Sequence, residues 1–292
     1  MPRHAYVNGM FERHNKAMVH VEDRGYQFAD GVYEVIALIN GQFADERGHL
    51  DRLERSLAAL SIAMPLSRDG LSLKIRELVR RNRLRHACIY IQVTRGVAKR
   101  DFGFPDPAVA PSLVITARPF VFDDLPKRTH GVQAFCVPDI RWKRRDIKTI
   151  ALLPQVLARQ QAVEQGGFEA WMVDDDGYVT EASASNAWIV KDGRLITRQA
   201  NCDILRGVTR TAILALREEM DISLEERAFT PEESWGADEA FCSSATALIT
   251  PVVAIDGHRI GNGKPGKITM AVYHAYRAYV AGGKEKQIPW TA

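Results

Sequence analysis

One lysine of this chain stands where its amine could act as a nucleophile. Lys148 lies at the junction of a cationic run, residues 139–146, and an apolar run, residues 149–153. Partial burial and the nearby arginines would favour the neutral amine, which can attack a carbonyl and form a Schiff base. The alternative is a lysine whose stem is buried while its ammonium reaches solvent from a strand end. The arginines of this run are Arg141, Arg144 and Arg145.

A carboxylate and two candidate anion sites follow Lys148 in the chain. A buried Glu181, at the end of a short predicted strand, would keep a pyridine nitrogen protonated and make that ring an electron sink. The alternative is a glutamate whose oxygens bind the hydroxyls of its own turn. Arg206-Gly-Val-Thr209 opens a helix whose free N–H groups favour an anion, and the turn Ser243-Ser-Ala-Thr246 can direct amides in the same way. Together with Lys148, these features indicate a phosphorylated carbonyl cofactor.

The composition is that of an ordinary globular protein and excludes several classes of partner. The chain has 292 residues, 46% of them hydrophobic, and a net charge of +3 from 39 basic and 36 acidic side chains. The charges are mixed in sign, so we expect no nucleic-acid partner. No apolar run approaches the ~18 residues of a membrane span, and the first residues lack a signal-peptide core. We therefore expect a cytoplasmic protein without a membrane partner.

The cysteines and histidines give no ligand spacing. The four cysteines are far apart in the sequence, without a C-x-x-C pair, and the eight histidines include no H-E-x-x-H motif. The sequence therefore predicts no metal site and no disulfide framework. The cysteines are Cys88, Cys136, Cys202 and Cys242.

Periodicity and turn residues predict two mixed α/β domains. We expect an N-terminal domain at residues 1–119, a linker at 120–131, and a C-terminal domain at 132–292 that carries Lys148. Helical spacing of leucines and alternating apolar runs give the elements. Asn8-Gly9 predicts a hairpin turn, and a glycine-punctuated loop that begins at Glu22 leads into an apolar strand. Residues 174–177 and 191–193 predict two further hairpins, and Thr230-Pro-Glu-Glu233 predicts a capping box. Predicted helices cover residues 49–64, 70–83, 155–165, 209–220 and 270–281, with another beginning at Thr230; predicted strands cover 87–94, 112–117, 132–138, 169–173, 178–181, 186–190, 194–197 and 240–242.

Several ordered motifs between Tyr6 and Ile260 carry a family resemblance. They are Glu22-Asp-Arg-Gly-Tyr-Gln-Phe28 with Asp30-Gly-Val-Tyr-Glu-Val35, Gln92-Val-Thr-Arg-Gly96, residues 139–148, Thr180-Glu-Ala-Ser183 with Ser185-Asn186, Leu205-Arg-Gly-Val-Thr-Arg210 and Ile249-Thr-Pro-Val252. With them the chain resembles the fold-type IV pyridoxal-phosphate aminotransferases, and among these the D-amino-acid (D-alanine) aminotransferases. The resemblance implies a two-domain α/β fold with the active site at the domain interface.

The resemblance also implies the cofactor, pyridoxal 5′-phosphate, and the residues that hold it. Lys148 would be the Schiff-base lysine and would move the proton between the substrate Cα and the cofactor C4′. Glu181 would meet the pyridine nitrogen, and Leu205 would pack on the ring. Alanine stands at two positions where the family commonly has hydroxyls, 184 and 245. The implied phosphate ligands are Arg52, Val208, Thr209, Ser244 and Ala245.

The substrate side of the resemblance implies amino transfer between a D-amino acid, such as D-alanine or D-glutamate, and a 2-oxo acid by a ping-pong mechanism. Tyr33 and, from a loop of the second subunit of a homodimer, Arg100 would hold the substrate α-carboxylate. Phe102 stands where the family has a histidine. Arg100 favours the D-amino-acid function. The alternatives are a branched-chain L-amino-acid or (R)-amine transaminase, a carbon–carbon lyase resembling aminodeoxychorismate lyase, and a catalytically idle cofactor-binding protein.

Overall fold

A computed structural model describes residues 3–122 and 125–282, which form two α/β units with one sheet each. Within these ranges, unit 1 comprises residues 3–121 and Ile147–Ala151, and unit 2 comprises the remainder. The predicted mixed α/β fold class is confirmed. Residues 1, 2, 123, 124 and 283–292, which belong to the predicted domains and linker, lie outside the described part.

Unit 1 is built on a six-stranded antiparallel sheet of order β2-β1-β6-β5-β3-β4. The predicted Asn8-Gly9 turn joins the first two strands, and both of its residues have positive φ, as this hairpin turn requires. The elements are β1 (His4–Val7), β2 (Met10–Arg13), α1 (Arg24–Phe28), β3 (Gly31–Ile39), β4 (Gln42–Phe43), α2 (Glu46–Ala59), α3 (Arg68–Asn82), β5 (Ala87–Thr94) and β6 (Ser112–Pro119).

The core of unit 1 lies between this sheet and helices α2 and α3. Leucines spaced at three and four residues put one apolar face of each helix on the sheet. Leu53, Leu57 and Leu71 are at most 1% exposed. Helix α2 starts three residues before the predicted position and ends earlier, because Ser61 adopts a left-handed conformation (φ 54°) that no helix can continue.

The segment Ile147–Ala151 completes unit 1. The N–H of Tyr33 donates to the Lys148 carbonyl (3.0 Å), and the N–H of Ile150 donates to the Gly31 carbonyl (3.1 Å). β4 pairs only with the far end of β3, so the first residues of β3 have an open edge for this segment. By sequence order Lys148 is expected in the C-terminal domain; its backbone bonds and the buried Ile147 instead group it with unit 1.

Unit 2 contains a nine-stranded mixed sheet of order β12-β11-β10-β13-β14-β7-β8-β9, with β15 paired to β14. Three strand pairs are parallel: β11 with β12, β14 with β7, and β7 with β8. The elements are α4 (Leu125–His130), β7 (Val132–Pro138), α5 (Leu153–Glu164), β8 (Glu169–Val173), β9 (Val179–Ala182), β10 (Asn186–Lys191), β11 (Arg194–Thr197), α6 (Val208–Glu219), β12 (Leu224–Glu226), α7 (Pro231–Trp235), β13 (Glu239–Ser244), β14 (Leu248–Ile255), β15 (His258–Arg259) and α8 (Lys267–Ala281).

The two predicted hairpins of unit 2, β8–β9 and β10–β11, are present and antiparallel. The predicted capping box at Thr230 is also present: its hydroxyl accepts from the Glu233 N–H, and the Glu233 carboxylate accepts from the Thr230 N–H. The predicted linker contains α4, whose buried Arg128 donates to the carbonyls of Ala247 and Ile249. Of the helices in the described ranges, none is both long and apolar enough to cross a membrane.

Candidate active site

In unit 1 the amine of Lys148 lies against an aromatic face. Its Nζ is 4.1 Å from the centroid of the Tyr33 ring, within the range of a cation–π contact. The Lys148 N–H donates to the Ser56 hydroxyl (3.3 Å), and the Tyr33 ring stacks on Tyr90 with centroids 5.6 Å apart. The Lys148 carbonyl and the N–H of Ile150, two residues later, are bonded to β3. A partly buried amine is therefore held at a defined place on the strand.

A buried carboxylate in the same unit orients the first predicted phosphate ligand. Glu34 is fully buried and accepts two hydrogen bonds from Arg52, from Nε (2.7 Å) and from a terminal nitrogen (2.9 Å). His49 Nδ1 lies 2.7 Å from the same carboxylate. Burial alone would raise the pKa of Glu34, but Arg52 and His49 hold this pKa well below its usual range. The ion pair fixes the direction of the Arg52 guanidinium.

Sequence reasoning missed Glu34 and His49 as members of this cluster. The available signal was a single charged residue inside the apolar strand β3, together with His49 and Arg52 three residues apart on one face of α2. A charge in a buried strand needs a partner. Two candidate partners on one helix face were therefore visible in the sequence.

In unit 2, Glu181 is buried on β9 and bound on three sides. It accepts from Arg141 (2.5 Å), from Asn186 Nδ2 (3.0 Å) and from the Leu205 N–H (3.0 Å). Burial raises the pKa of Glu181, against the opposing influence of Arg141 and of the Leu205 amide. The hydroxyls of its own turn do not bind it; Ser183 and Ser185 donate to Glu169 instead.

The arginines near Lys148 in the sequence are each paired with a carboxylate. Arg141 binds Asp139 as well as Glu181, and Arg145 lies 3.2 Å from Asp139. Arg144 pairs with Asp146 at 2.9 Å. The positive charge expected from this run is therefore largely balanced within the run itself and by Glu181.

Asn186 connects Glu181 to the residue predicted to pack on a cofactor ring. Its side-chain NH₂ donates both to the Glu181 carboxylate and to the Leu205 carbonyl, each at 3.0 Å. A Cβ added at Gly207 would lie 2.0 Å from the Asn186 side-chain oxygen. Only glycine permits this close approach, which places the Leu205 carbonyl, Asn186 and the start of α6 side by side.

The N-terminus of α6 has the properties of an anion site. Gly207 is its N-cap and supplies no side-chain cap, so the first-turn amides, including those of Val208 and Thr209, have no intrahelical acceptor. The Thr209 hydroxyl is buried and has no hydrogen-bond partner within the described residues. An orphaned hydroxyl beside free N–H groups at a helix start fits a phosphate group.

The other predicted phosphate turn follows β13. The Ser244 hydroxyl accepts from the Ala247 N–H (3.0 Å) and so shapes the turn through Ala245. Ala245 and Ala184 offer no side-chain donor, which leaves backbone amides as the donors at these two positions. Ser243 is used elsewhere, because its hydroxyl accepts from the Trp188 indole (2.9 Å).

The predicted carboxylate-binding arginine lies in the loop between β5 and β6. The Arg100 guanidinium carbon is 4.6 Å from the centroid of the Phe28 ring. Phe102 contacts the same ring at 5.6 Å and is 88% exposed. Arg100 is thus held on an aromatic surface of unit 1.

The predicted site residues fall into two groups, one in each unit. In unit 1 Lys148 contacts Tyr33, whereas Arg52 is bound to Glu34 and Arg100 lies on Phe28. In unit 2 Glu181 contacts Leu205, which lies close in the chain to Val208 and Thr209. The donor types fit pyridoxal phosphate: an amine for its carbonyl, a carboxylate for its ring nitrogen and a free helix start for its phosphate. Among the described side chains, no group of three His, Cys, Asp or Glu residues is placed to hold a metal ion.

Comparison with known proteins gives consistent matches. Residues 31–255 match the family described as amino-transferase class IV. The chain is 39% identical over 277 residues to D-alanine aminotransferase of Staphylococcus haemolyticus, covering 94% of this chain and 97% of that protein. It is 38% identical over 282 residues to D-alanine aminotransferase of Bacillus licheniformis, covering 96% and 98%.

A solved structure shares the fold. The branched-chain amino acid aminotransferase of Escherichia coli superimposes with a TM-score of 0.92 at 27% identity, and the match covers 99% of this chain and 98% of that one.

Proposed function

The chain belongs to the class IV aminotransferase family, and we propose that it transfers the amino group of a D-amino acid, such as D-alanine or D-glutamate, to a 2-oxo acid. The observation that carries amino transfer is the Lys148 amine held on the Tyr33 ring at 4.1 Å. The D-configuration is supported by the 39% identity to a D-alanine aminotransferase over nearly the whole chain. Alternation of the two half-reactions on one site gives ping-pong kinetics.

Pyridoxal 5′-phosphate is the cofactor of this family, and when bound it supplies an electron-withdrawing ring that makes the Cα proton of an attached amino acid acidic. Lys148 would hold its carbonyl carbon, Glu181 its ring nitrogen, and Leu205 its ring face. Arg52, the amides of Val208 and Thr209, the Thr209 hydroxyl and the turn of Ser244 and Ala245 would hold its phosphate.

Lys148 has two roles in this proposal. Its amine would hold the carbonyl of the cofactor, and the same amine would serve as the general base that takes the Cα proton of the substrate and returns it as an acid. A base must stay within hydrogen-bond reach of the proton that it moves. The contact with Tyr33 and the strand bonds of the lysine backbone support such a fixed position.

Glu181 would keep the ring nitrogen protonated. Burial disfavours the charge on its carboxylate and raises its pKa, so a cationic N–H in front of it would offset part of the desolvation cost. Arg141 and the Leu205 N–H hold the carboxylate in place from the other directions. The carboxylate is therefore oriented before any cofactor binds.

We also propose a homodimer in which Arg100 of one copy, with Tyr33 of the other, binds the substrate α-carboxylate. The support is apolar surface: helix α5 exposes Leu153, Val156 and Leu157 at helical spacing, each more than half exposed. Exposed apolar side chains in such a stripe are typical of association surfaces.

The free state of all four cysteines supports the expected cytoplasmic location.

A branched-chain L-amino-acid transaminase is the second candidate, because the Escherichia coli enzyme of that name shares the fold with a TM-score of 0.92. Phe102, at the position of the expected histidine, removes one donor for a carboxylate and so favours less polar substrates. The position of Arg100 favours the D-amino-acid function.

A single-turnover titration distinguishes these functions. The yellow holoenzyme is mixed in turn with D-alanine, D-glutamate, L-leucine and (R)-1-phenylethylamine, and conversion of its cofactor to pyridoxamine phosphate is followed by absorbance. Conversion by D-alanine or D-glutamate is the expected result. Conversion by L-leucine or the amine alone overturns the D-amino-acid proposal.

A further inference from the structure

A second arginine, Arg24, donates hydrogen bonds to the backbone of the loop that carries Arg100. This residue lies in α1 and is only 3% exposed. One of its terminal nitrogens donates to the carbonyls of Asp101 (2.7 Å) and Gly103 (3.2 Å), and the other to that of Phe102 (3.5 Å). Three consecutive carbonyls, beginning one residue after Arg100, thus point at one buried guanidinium.

The anchor of this guanidinium is Asp30. Arg24 donates from Nε to the Asp30 carboxylate at 2.8 Å, and Arg95 binds the same carboxylate with two nitrogens at 2.8 and 3.0 Å. Arg95 in turn donates to the carbonyls of Leu60 and Ser61 beyond the end of α2. A planar guanidinium makes several hydrogen bonds in fixed directions, which a lysine cannot reproduce.

Contacts with the rings of Phe28 and Phe104 hold the side chains of the loop. Phe28, four residues after Arg24 and at the end of α1, carries the Arg100 guanidinium at 4.6 Å and the Arg24 guanidinium at 4.8 Å. Arg95 lies 3.6 Å from the centroid of the Phe104 ring. The loop is therefore fixed through its backbone by Arg24 and through its side chains by Phe28 and Arg95.

We propose that Arg24 is a positioning residue for substrate binding: it fixes the loop so that Arg100, resting on Phe28, presents a preorganised guanidinium to the α-carboxylate. The Arg24 guanidinium is directed at backbone carbonyls and at Asp30, so we assign it no contact with substrate. The inference rests on the proposed role of Arg100. Preorganised donors bind more tightly because less conformational entropy is lost on binding.

The test is a double-variant cycle on the holoenzyme with Arg24→Met, Arg100→Met and both together. If Arg24 acts through Arg100, Arg24→Met raises the apparent Kd for D-alanine about tenfold with nearly unchanged maximal rate and cofactor content. The double variant then binds no more weakly than Arg100→Met alone. A lower maximal rate at unchanged Kd in Arg24→Met overturns the inference. Losses of affinity that add in the double variant also overturn it.

Further variants separate positioning from a loss of folding. The apparent Kd of Arg24→Lys for D-alanine should lie between those of wild type and Arg24→Met. An ammonium can bind Asp30 or the carbonyls but not all of them together. Phe28→Leu is the alternative variant if Arg24→Met fails to fold. It removes the ring under Arg100 and leaves the carbonyl bonds, so it should also weaken D-alanine binding. Arg47→Met, a surface change elsewhere in unit 1 at an arginine 61% exposed, is the control.

A readout that needs no substrate keeps this inference separate from the proposed function. Arg24→Met should speed tryptic cleavage after the exposed Lys99 and Arg100, and Arg47→Met should not. If wild type converts L-leucine but no D-amino acid, the D-amino-acid function fails and the same cycle is run with L-leucine, which also carries an α-carboxylate. Unchanged cleavage together with unchanged substrate affinity in Arg24→Met contradicts the positioning role.

Discussion

The N–H of Tyr33 donates to the carbonyl of Lys148 at 3.0 Å, while the Lys148 amine lies 4.1 Å from the centroid of the Tyr33 ring. The same two residues are thus joined twice, once through the backbone and once through the side chains. The backbone bond fixes the position of the Lys148 main chain, and the ring contact fixes the position of its amine. A side-chain substitution at Tyr33 therefore removes the ring contact and leaves the backbone bond.

Replacement of Lys148 by alanine should abolish transamination and the visible absorbance of the lysine-bound cofactor. The substitution removes the amine proposed to hold the cofactor, and the strand bonds of residue 148 come from its backbone, so the protein should still fold. Activity, absorbance and thermal melting check this. Lys191→Ala, at the exposed last residue of β10, is the matched control. Turnover retained by Lys148→Ala contradicts the assignment.

Glu34→Gln should lower the free energy of unfolding at neutral pH by about 3 kcal/mol, because it removes the charge that balances buried Arg52. The pKa of Glu34 is depressed in the folded protein, so its contribution is present above the unfolded pKa of about 4.3. Wild type should lose that contribution as the pH falls further, by up to about 1.4 kcal/mol per pH unit.

The two proteins should therefore approach each other in stability only in acid. Urea unfolding of wild type and Glu34→Gln at a series of pH values measures the difference. A difference that stays constant between about pH 6 and pH 3.5 shows that the Glu34 carboxylate does not carry this stability.

Thr209→Val should weaken cofactor binding by about tenfold, the loss expected from one hydrogen bond to a phosphate. The same change should make the cofactor-free protein slightly more stable, since a buried hydroxyl that has no partner in the described part of the chain is replaced by a methyl group.

Thr211→Val in the same helix is the control with the opposite sign. The Thr211 hydroxyl donates to the Gly207 carbonyl (3.1 Å), so its loss should lower the melting temperature of the cofactor-free protein. Cofactor titration and melting curves measure both effects. Equal cofactor affinity in Thr209→Val and wild type removes Thr209 from the phosphate site.

Arg100→Ala should raise the KM for D-amino acids by about tenfold to a hundredfold, the range for a charge-assisted hydrogen bond, and leave cofactor content intact. Steady-state kinetics with D-alanine check this. Lys99→Ala, next to it in the loop, should leave KM unchanged. A KM that does not respond to Arg100→Ala places the carboxylate site elsewhere.

The sequence predicted most elements because their signals are local. Strands β5, β7, β8 and β11 have the predicted bounds, and the Asn8-Gly9 turn and the Thr230 capping box follow from residue types alone. Helix α1 was missed since Gly25 suggested a loop. The glycine is required instead by a residue that is distant in the sequence: a Cβ at Gly25 would lie 2.2 Å from the Thr94 side chain.

The candidate site was only half accessible from sequence. Motif spacing pointed to Lys148 and Glu181, but not to the residues that hold them. Arg141 meets Glu181 across 40 positions, and Arg24 meets Asp101 across 77. Such pairs depend on strand pairing and loop return, which periodicity does not encode.

The return of Ile147–Ala151 to the edge of β3 has a consequence for synthesis on the ribosome. The chain leaves unit 1 after residue 121 and comes back at Ile147, once residues 122–146 have been made. At about 5–20 residues per second, that interval is roughly one to five seconds. During it the nascent sheet has an uncovered edge at Gly31 and Tyr33, where a strand from another chain could bind. The lysine segment thus closes an aggregation-prone edge in the growing polypeptide, so mutations that weaken its pairing with β3 should reduce the yield of folded protein.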